Sequence, residues 1–284
     1  MPELPEVEVT RLGLHSHIVD KKITGITIRQ SKLRWPVPDD MQYFLKDRLI
    51  TNTQRRGKYL LFETSETNKQ PIGWLIIHLG MSGTLRLIDT GEPASVHDHI
   101  DLHLGGKSIR FRDPRRFGAV LWHPVTNGPI EQHRLLAALG VEPLTETFFG
   151  IAGARYLYQN TRTRQQSIKQ VLLGGHIVVG LGNIYANEAL FHAGIHPKTP
   201  SNKIGVKRYL HLVDAIRQTL QTAIHKGGSS LRDFVASDGR QGYFQFDYMV
   251  YGQTHKPCRV CKAPIQCYVA GQRSTFFCPR CQRG

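Results

Sequence analysis

Two close cysteine pairs end this 284-residue chain: Cys258 with Cys261, and Cys278 with Cys281, each pair separated by two residues and the pairs by sixteen. Thiolates at that spacing sit on two tight knuckles that converge on one ion, and four sulfur ligands close a tetrahedron around zinc with no open position. The chemistry expected there is structural. The fifth cysteine, Cys267, and His255 lie nearby, and either would replace a ligand only by breaking the paired geometry.

The start of the chain offers different chemistry. Residues 1–8 read Met-Pro-Glu-Leu-Pro-Glu-Val-Glu. Once Met1 is removed, Pro2 is a terminal secondary amine with a pKa of roughly 7.7 to 8.0, so a neutral fraction near pH 7 can attack an electrophilic carbon. Glu3, Glu6 and Glu8 stand beside it to move protons or orient the amine. The same residues also suit a plain helix entrance, since proline and acidic side chains both favour a first helical turn.

Four further stretches concentrate groups that bind anions or bases. Gly180-Leu181-Gly182-Asn183 precedes an apolar run through Ile184, Leu190 and Phe191. With Asn183 as N-cap it reads either as a helix start open to a phosphate or as a capped turn between packed helices. In Arg112-Asp113-Pro114-Arg115-Arg116-Phe117-Gly118 a guanidinium beside an aromatic wedge suits insertion into a base stack; the alternative is a type I turn around Pro114 with Phe117 half-buried. His97 and His99 lack a third ligand at metal spacing, which leaves phosphate contact or structural hydrogen bonding. Arg273, between the cysteine pairs, either carries a guanidinium to a phosphate or is a solvated hairpin residue.

The elements that must hold these groups can be read from periodicity. A helix is expected from Pro5 to about His15. Strands are expected over residues 23–28, 58–63, 73–79, 84–88 and 118–123, with a hairpin of 101–104 and 108–112 around Gly105-Gly106. Pro124 to Pro143 is broken by Asn127-Gly128-Pro129 and Gly140 and marks a boundary. Helices follow over 166–173 and 209–225, the latter with Leu210, Val213, Ile216, Leu220 and Ile224 at helical spacing and Gly227-Gly228 as its stop. The fold class is therefore α+β: a mostly antiparallel β-sandwich or barrel behind a first helix, then helices, then a cysteine finger.

The 37 Lys+Arg against 22 Asp+Glu leave +15, which points to a polyanion, nucleic acid first. Glutamates stand where a secretion signal carries positive charge, and the longest apolar run, Ile72 to Met81, is only strand-sized. With cysteines in metal spacing, a reducing cytosol is expected.

Pro-Glu-Leu-Pro-Glu-Val, Arg-Arg-Gly-Lys-Tyr-Leu, His-Leu-Gly-Met-Ser-Gly, Asp-Pro-Arg-Arg-Phe-Gly, Gly-Asn-Ile-Tyr-Ala-Asn-Glu and the four-cysteine finger occur in this order along essentially the whole chain. In combination they resemble the bacterial formamidopyrimidine-DNA glycosylases (Fpg, or MutM). The resemblance implies a β-sandwich catalytic domain over residues 1–130, a linker over 131–144, a helix-two-turn-helix domain over 145–250 and a zinc finger over 251–284. It implies that Pro2 attacks C1′ of a damaged nucleotide, that Glu3 protonates the opening sugar, and that Lys58 and Arg273 serve β- and δ-elimination. Met81, Arg115 and Phe117 match the residues that fill the void left by the flipped nucleotide, with Arg115 facing the estranged cytosine. His97, Arg164, Lys169 and Asn183 match DNA-contacting positions, and Tyr243 falls in the loop that closes on the flipped base.

The implied partner is duplex DNA bearing oxidised purines or abasic sites, met by a monomer with one structural Zn2+, in the bacterial cytoplasm at the nucleoid, without a membrane or an obligate protein partner. Arg162, Thr163 and Arg164 stand where the family often has lysine, and Cys267 and the segment Glu66 to Gln70 have no implied role. Two rivals remain: an endonuclease VIII-like glycosylase for oxidised pyrimidines, and a non-catalytic zinc-finger DNA-binding protein. The Leu4 and Val7 context and the Arg115–Phe117 pair favour the purine enzyme over the first; Pro2, Glu3 and Lys58 argue against the second.

Overall fold

The computed structural model describes residues 2–66, 70–227 and 248–284. They form two compact units, one built on the chain up to Ala137 and one on Ala138–Lys226 with the chain from 248 onward.

The first unit opens with helix α1 (Leu4–Ile18), which begins because Glu3 and Glu6 form a reciprocal capping box, with Pro5 in the first turn. Two otherwise orphaned amides are satisfied in this way. The helix runs three residues past the expected His15 because Leu14 and Ile18, like Leu4 and Val7, are fully buried, and that burial outweighs the weak helix preference of His17 and Ile18.

Two four-stranded antiparallel sheets follow. One has the order β1 (Gly25–Ile28), β6 (Asp98–His103), β7 (Lys107–Arg112), β5 (Thr84–Asp89); the other has β2 (Leu49–Arg56), β3 (Tyr59–Ser65), β4 (Pro71–His78), β8 (Ala119–Pro124). Ile26, Leu85, Ile100, Leu102, Ile109 and Phe111 of the first meet Leu60, Phe62, Leu75, Ile77 and Val120 of the second in one core. Each such side chain contributes about 1.5 to 3 kcal/mol by leaving water. Two packed sheets make this a sandwich, one of the two arrangements the strand pattern left open and the one the family resemblance implies, and its hairpin is where the sequence placed it.

Strand β2 and the short helix α2 (Met41–Leu45) carry no clear sequence signal. In β2, Leu-Ile-Thr-Asn-Thr-Gln-Arg-Arg, only Ile50 and Thr53 are buried, so apolar alternation is lost, and pairing with β3 along its length holds the strand instead.

In the second unit, α3 (Gly150–Thr161), α4 (Ile168–Gly174), α5 (Asn183–His192) and α6 (Val206–His225) pack together. The buried stripe of α6 is Tyr209, Leu212, Val213, Ile216, Leu220 and Ala223; Leu210 and Ile224 sit half-buried at its margin. Helix α3 carries no clear sequence signal because Gly150 and Gly153 weaken its helical pattern. A hairpin of β9 (Gln266–Ala270) and β10 (Arg273–Phe277) completes the unit. Among the described residues no helix is long and apolar enough to cross a membrane.

Candidate active site and metal centre

In the first unit, Pro2 directly precedes the capping pair. Glu3 and Glu6 are each 2% exposed, and the Glu3 amide donates to Glu6 Oε2 at 2.8 Å. Helix α1 is strapped to β2 along one side. Arg11 Nη1 donates to the Thr53 carbonyl at 3.2 Å, and His15 Nδ1 lies 2.8 Å from the Thr53 hydroxyl. Glu8, a third carboxylate near the amine in sequence, is engaged otherwise: it pairs with Arg11 at 2.6 Å and with Arg55 of β2 at 3.0 Å. Burial pushes the Glu8 carboxyl up, but the hydrogen bonds and charges of the two arginines outweigh it and hold the group below its ordinary range.

Lys58 sits half-buried in the two-residue turn between β2 and β3, after Gly57 at φ 58°. A positive φ at the first turn position is what a type II′ hairpin requires, so the turn fixes the backbone that carries Lys58. His78, at the end of β4, had no assigned role in the sequence. Burial, with Lys58 and Arg34 nearby, lowers its pKa to about 4. The ring is neutral at pH 7, and its Nδ1 accepts from the Gly80 amide at 3.0 Å, which leaves Nε2–H as its donor. The clue in the sequence was His78 inside the apolar run Leu-Ile-Ile-His-Leu.

Beyond β4 the chain exposes Met81 (41%), and beyond β7 it exposes Phe117 (43%) with Arg115 stacked 4.9 Å from its ring centroid. His97 is half-buried. His99 is buried, with Nε2 2.8 Å from the Asp113 carbonyl, so of the two readings for this histidine the structural hydrogen bond holds.

In the second unit, the β9–β10 turn carries Gly271 at φ 55° and Gln272 at φ 59°, a type I′ pattern that leaves Arg273 exposed at the head of β10. The N-cap of α5 is Gly182, not Asn183: Asn183 is the first helical residue and its Nδ2 donates to the Ser274 carbonyl at 3.0 Å. The fully buried Asn187 accepts from the Phe276 amide at 3.0 Å. Lys169 differs from the expected DNA contact. It is 3% exposed, and its ammonium donates to the Ser274 carbonyl at 3.0 Å and the Thr275 hydroxyl at 2.7 Å. A desolvated ammonium needs such acceptors, and here they belong to the hairpin that bears Arg273. Arg164 is exposed, with Nε bound to the Asn160 carbonyl at 3.1 Å. Tyr243 lies outside the described residues.

The four paired cysteines converge. Their sulfurs all lie within 4.8 Å of one another, with Cys258 to Cys281 at 3.9 Å and Cys261 to Cys278 at 3.4 Å. Zinc bonded to sulfur at roughly 2.3 Å in a tetrahedron sets sulfurs roughly 3.8 Å apart, so the cluster fits one Zn2+ with every position filled. Cys267 is exposed on β9 opposite Phe276, outside the cluster. The knuckle is anchored by buried Gln282, which accepts from the Cys278 amide at 2.8 Å and donates to the Ile195 carbonyl at 2.9 Å. Glu188 accepts the amides of Met249, Val250 and Tyr251, ahead of the finger.

The formamidopyrimidine-DNA glycosylase N-terminal domain matches residues 1–120, the formamidopyrimidine-DNA glycosylase H2TH domain residues 139–235, and the zinc finger found in FPG and IleRS residues 256–284. The chain belongs to the formamidopyrimidine-DNA glycosylase family. It is 54% identical to the formamidopyrimidine-DNA glycosylase of Janthinobacterium sp. (strain Marseille) over 283 residues, covering 100% of both chains. It is 51% identical, with the same coverage, to that of Herminiimonas arsenicoxydans. Among solved structures, Lactococcus lactis Fpg with DNA containing N7-benzyl-Fapy-dG aligns at a TM-score of 0.87 and 34% identity over 100% of both chains. The same enzyme with abasic-site DNA aligns at 0.88 and 34% identity over 99% of this chain and 100% of that one. As in those relatives, DNA is the partner this family fold meets.

Proposed function

We propose that the chain is a bifunctional DNA glycosylase and abasic-site lyase of base excision repair that removes oxidised purines, 8-oxoguanine and formamidopyrimidines. The observation that carries the reading is Pro2 set directly before the buried pair Glu3 and Glu6 at the head of an anchored helix. A base inside a duplex cannot present C1′ to a protein amine, so the nucleotide is flipped out first. The neutral Pro2 nitrogen then bonds to C1′ as the C1′–base bond breaks, and the N–H proton that the nitrogen sheds balances the negative charge carried off by the base. The nitrogen lone pair next expels the ring oxygen, which takes a proton from Glu3, and an iminium remains.

That positive nitrogen acidifies C2′. Lys58 serves the loss of the C2′ proton that breaks the 3′ C–O bond, and Arg273 serves the second elimination that breaks the 5′ C–O bond. Met81, Arg115 and Phe117 occupy the void, with Arg115 offering donors to the estranged cytosine. His97, Arg164 and Asn183 contact phosphates, with His78 as an added neutral donor. Lys169 serves indirectly, by holding the hairpin of Arg273. Tyr243 belongs to the lesion loop. Zn2+, when bound by Cys258, Cys261, Cys278 and Cys281, supplies structure to the finger.

We assign residues 1–130 to the catalytic sandwich, 131–144 to a linker, 145–250 to the helix-two-turn-helix domain and 251–284 to the finger. The protein works as a monomer in the bacterial cytoplasm, on the nucleoid. A second reading has support too: one Lactococcus lactis Fpg structure, at a TM-score of 0.87, holds DNA containing an oxidised pyrimidine, so pyrimidine lesions are secondary substrates. The test is a comparison of purified protein on duplexes bearing 8-oxoguanine opposite cytosine and thymine glycol opposite adenine. Faster excision of 8-oxoguanine is expected; the reverse order makes the pyrimidine reading primary, and no excision of either removes the enzyme reading.

A further inference from the structure

The turn that bears Met81 and the loop that bears Arg115 and Phe117 are distant in sequence, yet one buried side chain joins them. Asp113 is fully buried. Its Oδ1 accepts from the Ser82 hydroxyl at 2.6 Å and from the Arg115 amide at 3.3 Å, and its Oδ2 accepts from the Gly118 amide at 2.7 Å. Ser82 Oγ, while donating to that carboxylate, accepts from the Arg115 amide at 3.2 Å. The Asp113 main chain binds further: its amide donates to the His97 carbonyl at 3.0 Å, and its carbonyl accepts from His99 and, at 3.2 Å, from the Arg116 amide. The two segments also touch backbone to backbone, since a Cβ on Gly80 would meet Gly118 N and the Phe117 carbonyl carbon at 2.5 Å. Met81, Arg115, Phe117 and His97 are thus each an Asp113 partner or the residue beside one.

Exposed loops lose conformational freedom when they insert into DNA, and every residue ordered in that way costs free energy. A desolvated carboxylate surrounded by donors removes much of that cost in advance, because such charge-assisted bonds are strong in a low dielectric. We infer that Asp113 and Ser82 are positioning residues that lock the Met81 turn and the Arg115–Phe117 loop into one preorganised wedge. The inference rests on the void-filling role proposed above for Met81, Arg115 and Phe117. The carboxylate matters as well as its shape. Ser82, Arg115 and Gly118 all present donors to Asp113, so an amide in its place would aim an N–H at one of them.

The test uses the full-length protein and the variants Ser82→Ala, Ser82→Thr and Asp113→Asn. Amide hydrogen exchange of the free protein reads the clamp, and single-turnover excision of 8-oxoguanine opposite cytosine reads its use. In Ser82→Ala the Arg115 amide should exchange about tenfold faster and excision should slow by about tenfold, the scale of one or two lost hydrogen bonds. Asp113→Asn should do the same at Gly118, and Ser82→Thr, which keeps the hydroxyl, should match the parent protein in both readings. Unchanged exchange in Ser82→Ala and Asp113→Asn would overturn the inference, and so would faster exchange with undiminished excision. A parent protein that excises nothing would remove the enzyme reading, while exchange alone still decides whether the clamp exists.

Discussion

Arg55 Nε stands 3.0 Å from Glu8 Oε2, and the same guanidinium donates through Nη1 to the Gly57 carbonyl at 3.0 Å. One arginine thereby ties the helix that follows Pro2 to the turn that holds Lys58. Removing one partner of a largely buried ion pair leaves the other uncompensated. Glu8→Gln should therefore lower the melting temperature by several degrees, as expected for about 2 kcal/mol in a chain of this length, and should slow imine formation. Because the folded pKa of Glu8 is depressed, the stabilisation is present above its ordinary value of 4.5 and is lost as pH falls through the folded value. Thermal melts of parent and variant should converge on acidification.

A second acid-sensitive joint lies between β6 and β7. Arg110, 2% exposed, donates to Asp101 through Nε and Nη2 at 2.8 Å each and to the carbonyls of Pro93 and Glu92. Burial pushes Asp101 up, but the bonds and charges of Arg110 and Arg29 bring it down to about 2 from 3.8. The pair thus contributes about 2 kcal/mol above pH 4 that disappears between pH 4 and 2. Asp101→Asn should flatten acid unfolding in that window, read by circular dichroism, and should cost stability at pH 7.

Zinc content distinguishes the four ligands from their neighbour. Mercurial release into a chromogenic chelator should yield one equivalent from the parent protein and from Cys267→Ser, and well under one from Cys278→Ser. A structural zinc in small fingers contributes on the order of 10 kcal/mol, so removing it should also abolish tight DNA binding. Full zinc retention in Cys278→Ser would contradict the ligand set.

Lys169→Met should act through the hairpin. Loss of the ammonium leaves the fully buried Thr275 hydroxyl without that donor, a cost of about 1 to 3 kcal/mol, while the Ser274 carbonyl keeps the Asn183 amide. On abasic-site DNA the products should shift from 3′-phosphate ends, which need both eliminations, towards the unsaturated sugar left by the first. Gel separation of the two ends reports the ratio, and equal ratios in parent and variant would speak against the link from Lys169 to Arg273.

The zinc ligands, the strands and the first helix were legible because each is encoded locally, in cysteine spacing, in strand alternation or in a helix entrance of proline and glutamates. What escaped depends on partners far along the chain. Lys169 looks like any basic helical residue until Ser274 and Thr275 close over it, and Asn183 looks like an N-cap until its amide turns to Ser274. Asp113 reads as a turn residue beside Pro114, since nothing local shows that Ser82 and Gly118 both reach its carboxylate. Strand β2 is polar by pattern and extended only because β3 pairs with it.

The central claim is that Pro2, once Met1 is removed, forms a covalent bond to the sugar of a damaged nucleotide. Borohydride added during reaction with duplex DNA carrying 8-oxoguanine opposite cytosine reduces an imine to a stable amine, and mass spectrometry locates the linked residue. The expected result is a protein–DNA adduct joined at Pro2, absent without borohydride, with Pro2→Gly losing most base excision. No adduct from protein with verified methionine removal, or an adduct joined at a lysine with Pro2 unmodified, would contradict the account.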